Sequence, residues 1–241
     1  MRVCSVNLAA GSPRIESGTA DRLAMNNLAL ELHALCNRLD TANEEFYRLF
    51  AQLKSFSITK LPQDKIALEP GGVVGDRHFS TPGTRMVDDK FFKIEAFNQV
   101  SILSKERYDE LNKLYNKNIQ AGQLGENILI RDLAMGTLSQ GTVLQFGNTA
   151  QIKICFLRRF CYKFAMALLT PDEYFSWRKS PGSPPINRIG VIGQVIKSGT
   201  VAPGDSIHIA YTPPEKIALR AHNYEIDGLV GETPCDPPTN T

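Results

Sequence analysis

Between residues 58 and 211 the chain is cut into short apolar runs, each bounded on at least one side by a Gly, Pro or Asn turn signal. No pattern in the sequence restricts its fold more. Runs of about four to eight residues at this spacing suit strands better than helices. They fall at residues 58–61, 100–103, 128–130, 141–146, 151–157, 191–196 and 206–211, with residues 2–8 as an earlier candidate, and a turn at residues 70–72 precedes 73–78. Gly147-Asn148 is a two-residue hairpin signal between two of them. Ser104 is placed to cap a helix bearing Tyr108, Leu111, Leu114 and Tyr115. Many short strands with few helices among them predict a mainly β fold, an antiparallel β-barrel with a few flanking helices.

Residues 19–56 break the pattern. Leu28, Leu32, Leu35 and Leu39 recur at helical spacing. Thr41-x-x-Glu44 reads as a capping box before Phe46, Leu49, Phe50 and Leu53. A helical hairpin inserted near the amino terminus is expected, serving packing or dimerisation. A homodimer would use it. Residues 79–92 read as loop, and residues 211–241 as a proline-bearing tail that wraps or moves. The whole of 1–241 is expected to be a single domain, with strand 2–8 joined to a barrel core at about 57–210.

Composition narrows the function. Lys and Arg number 27 against 25 Asp and Glu, so no global basic surface points to nucleic acid. No run approaches the roughly 18 apolar residues of a membrane span, and residues 1–6 do not read as a signal peptide. The five cysteines, Cys4, Cys36, Cys155, Cys161 and Cys235, are odd in number and show no Cys-x-x-Cys spacing. A disulfide framework and a zinc site are therefore not expected, and a reducing cytoplasm is.

The charge distribution says more than its total. Residues 133–171 hold no acid, yet contain Lys153, Arg158, Arg159 and Lys163. Cys161 lies among them. Cations this close in sequence favour a thiolate, the form that ligates metal or transfers sulfur. A core cysteine flanked by surface cations is the other reading, and the residues alone leave both open. Cys155 reads as strand packing. Gly75-Asp76-Arg77-His78 offers a guanidinium suited to phosphate, with Asp76 to orient it. His78 is either structural or a proton donor. In Gly122-Gln123-Leu124-Gly125-Glu126-Asn127, two glycines allow close backbone approach, and Asn127 either stabilises a turn or meets a ligand.

Taken in order, these segments resemble the MOSC domain, named for the carboxy-terminal domain of molybdenum cofactor sulfurases. The resemblance runs over about residues 57–210 and is most specific at 122–130, around Cys161, and at 195–209. It implies a β-barrel with one reactive cysteine, here Cys161, that ligates molybdenum in the bound pterin cofactor or carries sulfur as a persulfide. Relatives include reductases of N-hydroxylated compounds. The resemblance puts Lys60, Arg77, Asn127 and Arg159 near the cofactor phosphate or pterin. Arg158 and Lys163 join them as neighbouring cations, and Asp76, His78 and Glu126 as polar support. The sequence departs from the family at Phe160, where many relatives have Pro, and at residues 84–98, where many have a glycine-rich stretch with His.

Three functions are then in competition. The first is a molybdenum-cofactor-dependent oxidoreductase reducing N–O bonds. The second is a persulfide-carrying sulfurtransferase. The third is a non-catalytic binding module. No iron–sulfur motif and no cysteine desulfurase domain is present in the sequence, so a separate sulfur donor or electron-donor protein is expected.

Overall fold

A computed structural model describes residues 1–8, 18–54, 58–76, 79, 83–87, 90–94, 100–158, 162–179, 189–219 and 232–235. Arg77, His78, Arg159 and Cys161 lie outside the described residues. The chain opens with β1 (Arg2–Leu8), followed by helices α1 (Gly18–Arg38) and α2 (Glu44–Lys54). Three short strands come next: β2 (Leu61–Gln63), β3 (Ile66–Glu69) and β4 (Gly72–Val73). Strands β5 (Gly83–Val87) and β6 (Lys90–Ile94) pair as a hairpin where the sequence reads as loop. Then come β7 (Val100–Ser104), α3 (Lys105–Tyr115), β8 (Ile128–Arg131), β9 (Val143–Phe146) and β10 (Ala150–Arg158). Helices α4 (Tyr162–Leu168) and α5 (Pro171–Lys179) precede β11 (Gly190–Lys197), β12 (Gly199–Val201), β13 (Ile207–Tyr211) and β14 (Glu232–Cys235).

Eight strands form one sheet in the order β13-β9-β10-β11-β7-β8-β1-β2. The expected antiparallel barrel is corrected in two ways. First, β7 and β8 run parallel, with Ile102 beside Ile128, so the sheet is mixed. A parallel pair needs a crossover, and α3 lies on that connection. Second, no closed barrel forms. The sheet curls until β1 and the start of β13 meet, but an isolated Arg2–Ser206 bridge and the Val3 N–H to Asp205 O hydrogen bond replace a full ladder. The expected tail also contributes structure. Glu232–Cys235 pairs with Lys90–Ile94, and Ala218 bridges Ser139.

Two apolar clusters flank the sheet's two faces. One is built from strand residues such as Val6, Ile102, Ile130, Leu144, Ile152 and Val191. The other unites the helical hairpin with α4 and α5 through Leu32, Leu35, Phe46, Phe50, Phe164 and Tyr174. The four α2 residues read from sequence, Phe46, Leu49, Phe50 and Leu53, are all buried there. The hairpin thus packs on its own chain. Its cap differs from expectation, because Asn43 Oδ1, not Thr41, accepts the Phe46 N–H. Ser104 caps α3 as expected, accepting the Arg107 N–H. Among the described residues no helix is long and apolar enough to cross a membrane.

Candidate functional site

The sequence segments singled out above converge on a buried polar cluster at one end of β7 and β8. The turn before β8 starts it. Gly122 and Gly125 both adopt left-handed backbone conformations, with φ of +86° and +74°. That leaves room for residues 58–60 to lie directly against the turn. A Cβ on Gly122 would stand 2.2 Å from the Lys60 carbonyl oxygen, and one on Gly125 would stand 2.7 Å from that of Ile58. The Lys60 N–H donates to Gly122 O at 2.9 Å.

This contact carries the Lys60 side chain inward, where Nζ meets Asp76 Oδ2 at 2.7 Å. Both side chains are almost wholly buried. Burial pulls the Lys60 ammonium below its usual range, and the Asp76 charge opposes that pull. Lys60 lies just before β2, and β4 ends at Val73. Asp76 stands in the turn that follows, with its N–H donating to Val73 O and its carbonyl accepting the Phe79 N–H. Those two bonds fix the chain on either side of Arg77 and His78.

Asn127 braces the cluster. Its Nδ2 donates to Asp76 Oδ2 at 2.9 Å, and its Oδ1 accepts the Ser101 N–H at 3.1 Å. Its backbone N–H donates to Ser101 O and its carbonyl accepts the Asn7 N–H. One residue therefore ties β1, β7 and the Asp76 turn together where β8 begins. Glu126, fully buried beside it, accepts from the Gly122 N–H at 2.5 Å, the Tyr108 hydroxyl at 2.6 Å and Asn7 Nδ2 at 3.4 Å. Burial pushes the Glu126 carboxyl up, while the Tyr108 and Gly122 donors favour its charge. The Tyr108 phenol is driven strongly upward by burial and by the Glu126 charge.

Arg158 completes the cluster from the end of β10. It donates to Ser101 Oγ and, at 2.8 Å, to Leu124 O, and its guanidinium lies 4.8 Å from the centre of the Phe164 ring. Of the sequence candidates, Lys60, Asp76, Glu126, Asn127 and Arg158 are thus brought together. Lys163 is half-buried on α4. Asn7, Ser101 and Tyr108 belong to the cluster and were not legible as site residues. The signal for the first two was a polar side chain inside an apolar strand.

Cys4, Cys36 and Cys155 are poorly suited to chemistry. Cys36 sits in the helical core and Cys4 is half-buried, and burial pushes both thiols up. Cys155 is buried against Phe156 and Ile192, with its thiol donating to Lys153 O. Among the described residues no group of three or more His, Cys, Asp or Glu is placed to hold a bare metal ion.

Comparison with known proteins bears on the whole arrangement. YiiM from Geobacillus stearothermophilus superposes with a TM-score of 0.52 at 17% identity, over 90% of this chain and 79% of that one. YuaD from Bacillus subtilis superposes with a TM-score of 0.51 at 20% identity, over 63% of this chain and 87% of that one. At these identities the likeness is one of fold. No curated protein is significantly similar in sequence. The family model of the MOSC domain matches residues 76–208, which is more than half of the chain and runs from Asp76 past Cys161 to the middle of β13. The chain belongs to the MOSC domain family.

Proposed function

We propose that this protein binds the molybdenum cofactor and reduces N-hydroxylated substrates, with Cys161 as the reacting thiolate. The observation that supports this reading most is the family match from Asp76 through Cys161, laid over a cluster in which Asp76 and Arg158 are each firmly held. The next residue after each is an arginine. Arg77 and Arg159 would hold the cofactor phosphate, since a guanidinium meets phosphate oxygens in pairs. The donor set fits the group: two arginines for an anion, one thiol for molybdenum, and no acid in residues 133–171 to repel either. When bound, the group would supply two-electron redox chemistry. The protein's part is to keep Cys161 deprotonated and to orient the anion.

Reduction of an amidoxime to an amidine consumes two electrons and two protons, breaks the N–O bond and releases water. The test uses protein from a host that makes the cofactor, with reduced methyl viologen as electron source and benzamidoxime as substrate. Amidine formation by wild type and its loss in Cys161→Ser is the expected result. If wild type gives no amidine and instead gains about 32 Da at Cys161 after incubation with a cysteine desulfurase, the protein is a sulfur carrier.

A further inference from the structure

Three of the segments that carry the buried polar cluster each present an aliphatic side chain beside it. Asn7 is followed by Leu8 and Lys60 by Leu61, and Val74 lies two residues before Asp76. Leu61 is 51% exposed and Val74 40%, while Leu8 is half-buried against the strand cluster. The three are also neighbours in space. Leu8 stands directly opposite Leu61 in the β1–β2 ladder. A Cβ on Gly75 would lie 3.6 Å from Leu8 Cδ2, so Leu8 also meets the turn that bears Val74. Single exposed aliphatic residues are common on protein surfaces, but a group of them bordering a polar site marks a binding surface.

Size and chemistry decide what this surface takes. Three side chains fall far short of the roughly 800 Å² per partner of a stable protein interface. Nor is the edge open to a strand from another chain. β2 is the outermost strand of the eight, and its Pro62 has no N–H to offer. Gln63 Nε2 donates to the Leu61 and Pro62 carbonyls at 3.2 and 2.9 Å, which covers the acceptors as well. Aliphatic side chains carry no donor or acceptor, so a phosphate or a pterin edge gains nothing from them. What fits is the uncharged, apolar body of a small molecule, held by the area it removes from water.

We infer that Leu8, Leu61 and Val74 form an apolar ledge that sets substrate specificity by taking the hydrocarbon ring or chain of the substrate. This rests on the reading of the protein as a reductase of N-hydroxylated compounds, and narrows those compounds to ones with an apolar substituent. The polar cluster fixes the ledge in place. The Lys60–Asp76 pair ties the segment of Leu61 to that of Val74, and the Asn127 carbonyl holds the Asn7 N–H next to Leu8.

The test measures binding, and its readout does not depend on turnover. Benzamidoxime carries a phenyl ring where acetamidoxime has a methyl group. Each is titrated by ligand-observed NMR against protein from the cofactor-making host, as wild type, Leu61→Gln, Val74→Gln and Leu30→Gln. All three replaced residues are exposed, so no variant opens a hole in the core. Leu30, 67% exposed on the helical hairpin, is the control. Wild type is expected to bind benzamidoxime about tenfold tighter than acetamidoxime. Leu61→Gln and Val74→Gln should each weaken benzamidoxime about threefold and leave acetamidoxime unchanged, while Leu30→Gln matches wild type. The inference is overturned if wild type binds the two amidoximes alike or binds neither, if the ledge variants keep the full preference, or if Leu30→Gln loses as much as they do. Failure of the underlying reading looks different: the preference is present and falls in the ledge variants, yet wild type forms no amidine with reduced methyl viologen.

Discussion

Lys60 and Asp76 show at the scale of single residues how the site is held. Each is a buried charge whose main partner is the other. Removing one member of such a pair leaves an ion stranded in the interior, whereas replacing both with apolar groups of similar size is often tolerated. Asp76→Ala should therefore lower unfolding free energy by about 3–5 kcal/mol. Lys60→Met with Asp76→Leu should recover most of the loss, as measured by urea denaturation. A second residue-scale prediction concerns His33. Its Nε2 pairs with the Tyr174 hydroxyl at 2.9 Å, and its ring stands edge-on to Tyr162. Burial, with Arg178 nearby, holds its pKa down at about 4, against 6.5 for an ordinary histidine. Below pH 6.5 the unfolded chain gains a proton here that the folded one refuses. Stability is then complete above pH 6.5, falls as the pH drops toward 4, and levels off below. His33→Gln cannot titrate. Between pH 7 and 4.5 wild type should lose on the order of 2 kcal/mol more than the variant. Equal losses would remove His33 from the account.

At the scale of elements, the Gly122–Gly125 turn is the piece on which the others converge. Gly122 needs a positive φ and also an absent Cβ, because the Lys60 backbone occupies the space. Gly122→Ala should cost on the order of 3 kcal/mol, since strain and clash act together. A melting temperature within a degree or two of wild type would show that the turn is not tight. On the helical hairpin, Phe46 is fully buried and stands edge-on to Phe175 on α5 at 5.1 Å. Phe46→Ala should cost about 3–5 kcal/mol in the isolated chain, independently of protein concentration. A concentration-dependent loss would instead make the hairpin a dimer interface. Much of this level could be read beforehand. The α2 face, the Ser104 cap and the β9–β10 hairpin all rest on local chemistry, and local chemistry is what a sequence displays, although the hairpin's loop holds three residues, Gly147, Asn148 and Thr149, where two were expected. The parallel β7–β8 pair could not be read, because strand direction depends on where a crossover lands and leaves no periodic mark. The β5–β6 hairpin was obscured by the charged run Asp88-Asp89-Lys90 in the sequence. The polar cluster was half legible. Asp76, Glu126 and Asn127 stand in conspicuous glycine-rich segments, but the pairing of Lys60 with Asp76 joins segments sixteen positions apart and follows only from the fold.

Across the whole molecule the near-neutral charge hides a division of labour. Within the described cluster, Lys60 and Arg158 stand with Asp76 and Glu126, and each of the four is bonded inside the protein. On this account the brace is electrically balanced and preformed, and the positive character needed by an anionic ligand falls to Arg77 and Arg159, the chain neighbours of two of its members. The helical hairpin lies outside the family match at residues 76–208 and supplies the second apolar cluster behind α4. It thereby packs against α4, the helix that follows residues 159–161 in the chain. The account's central claim is that Cys161 is a metal-ligating thiolate in a site for the molybdenum cofactor. The most direct measurement is molybdenum and pterin content, per protein chain, of wild type and Cys161→Ser purified from a host that makes the cofactor. The account predicts molybdenum and pterin in near-equal amounts in wild type, with molybdenum lost or loosely held in Cys161→Ser. Wild type free of both, from a host shown to load another molybdenum enzyme, would contradict it.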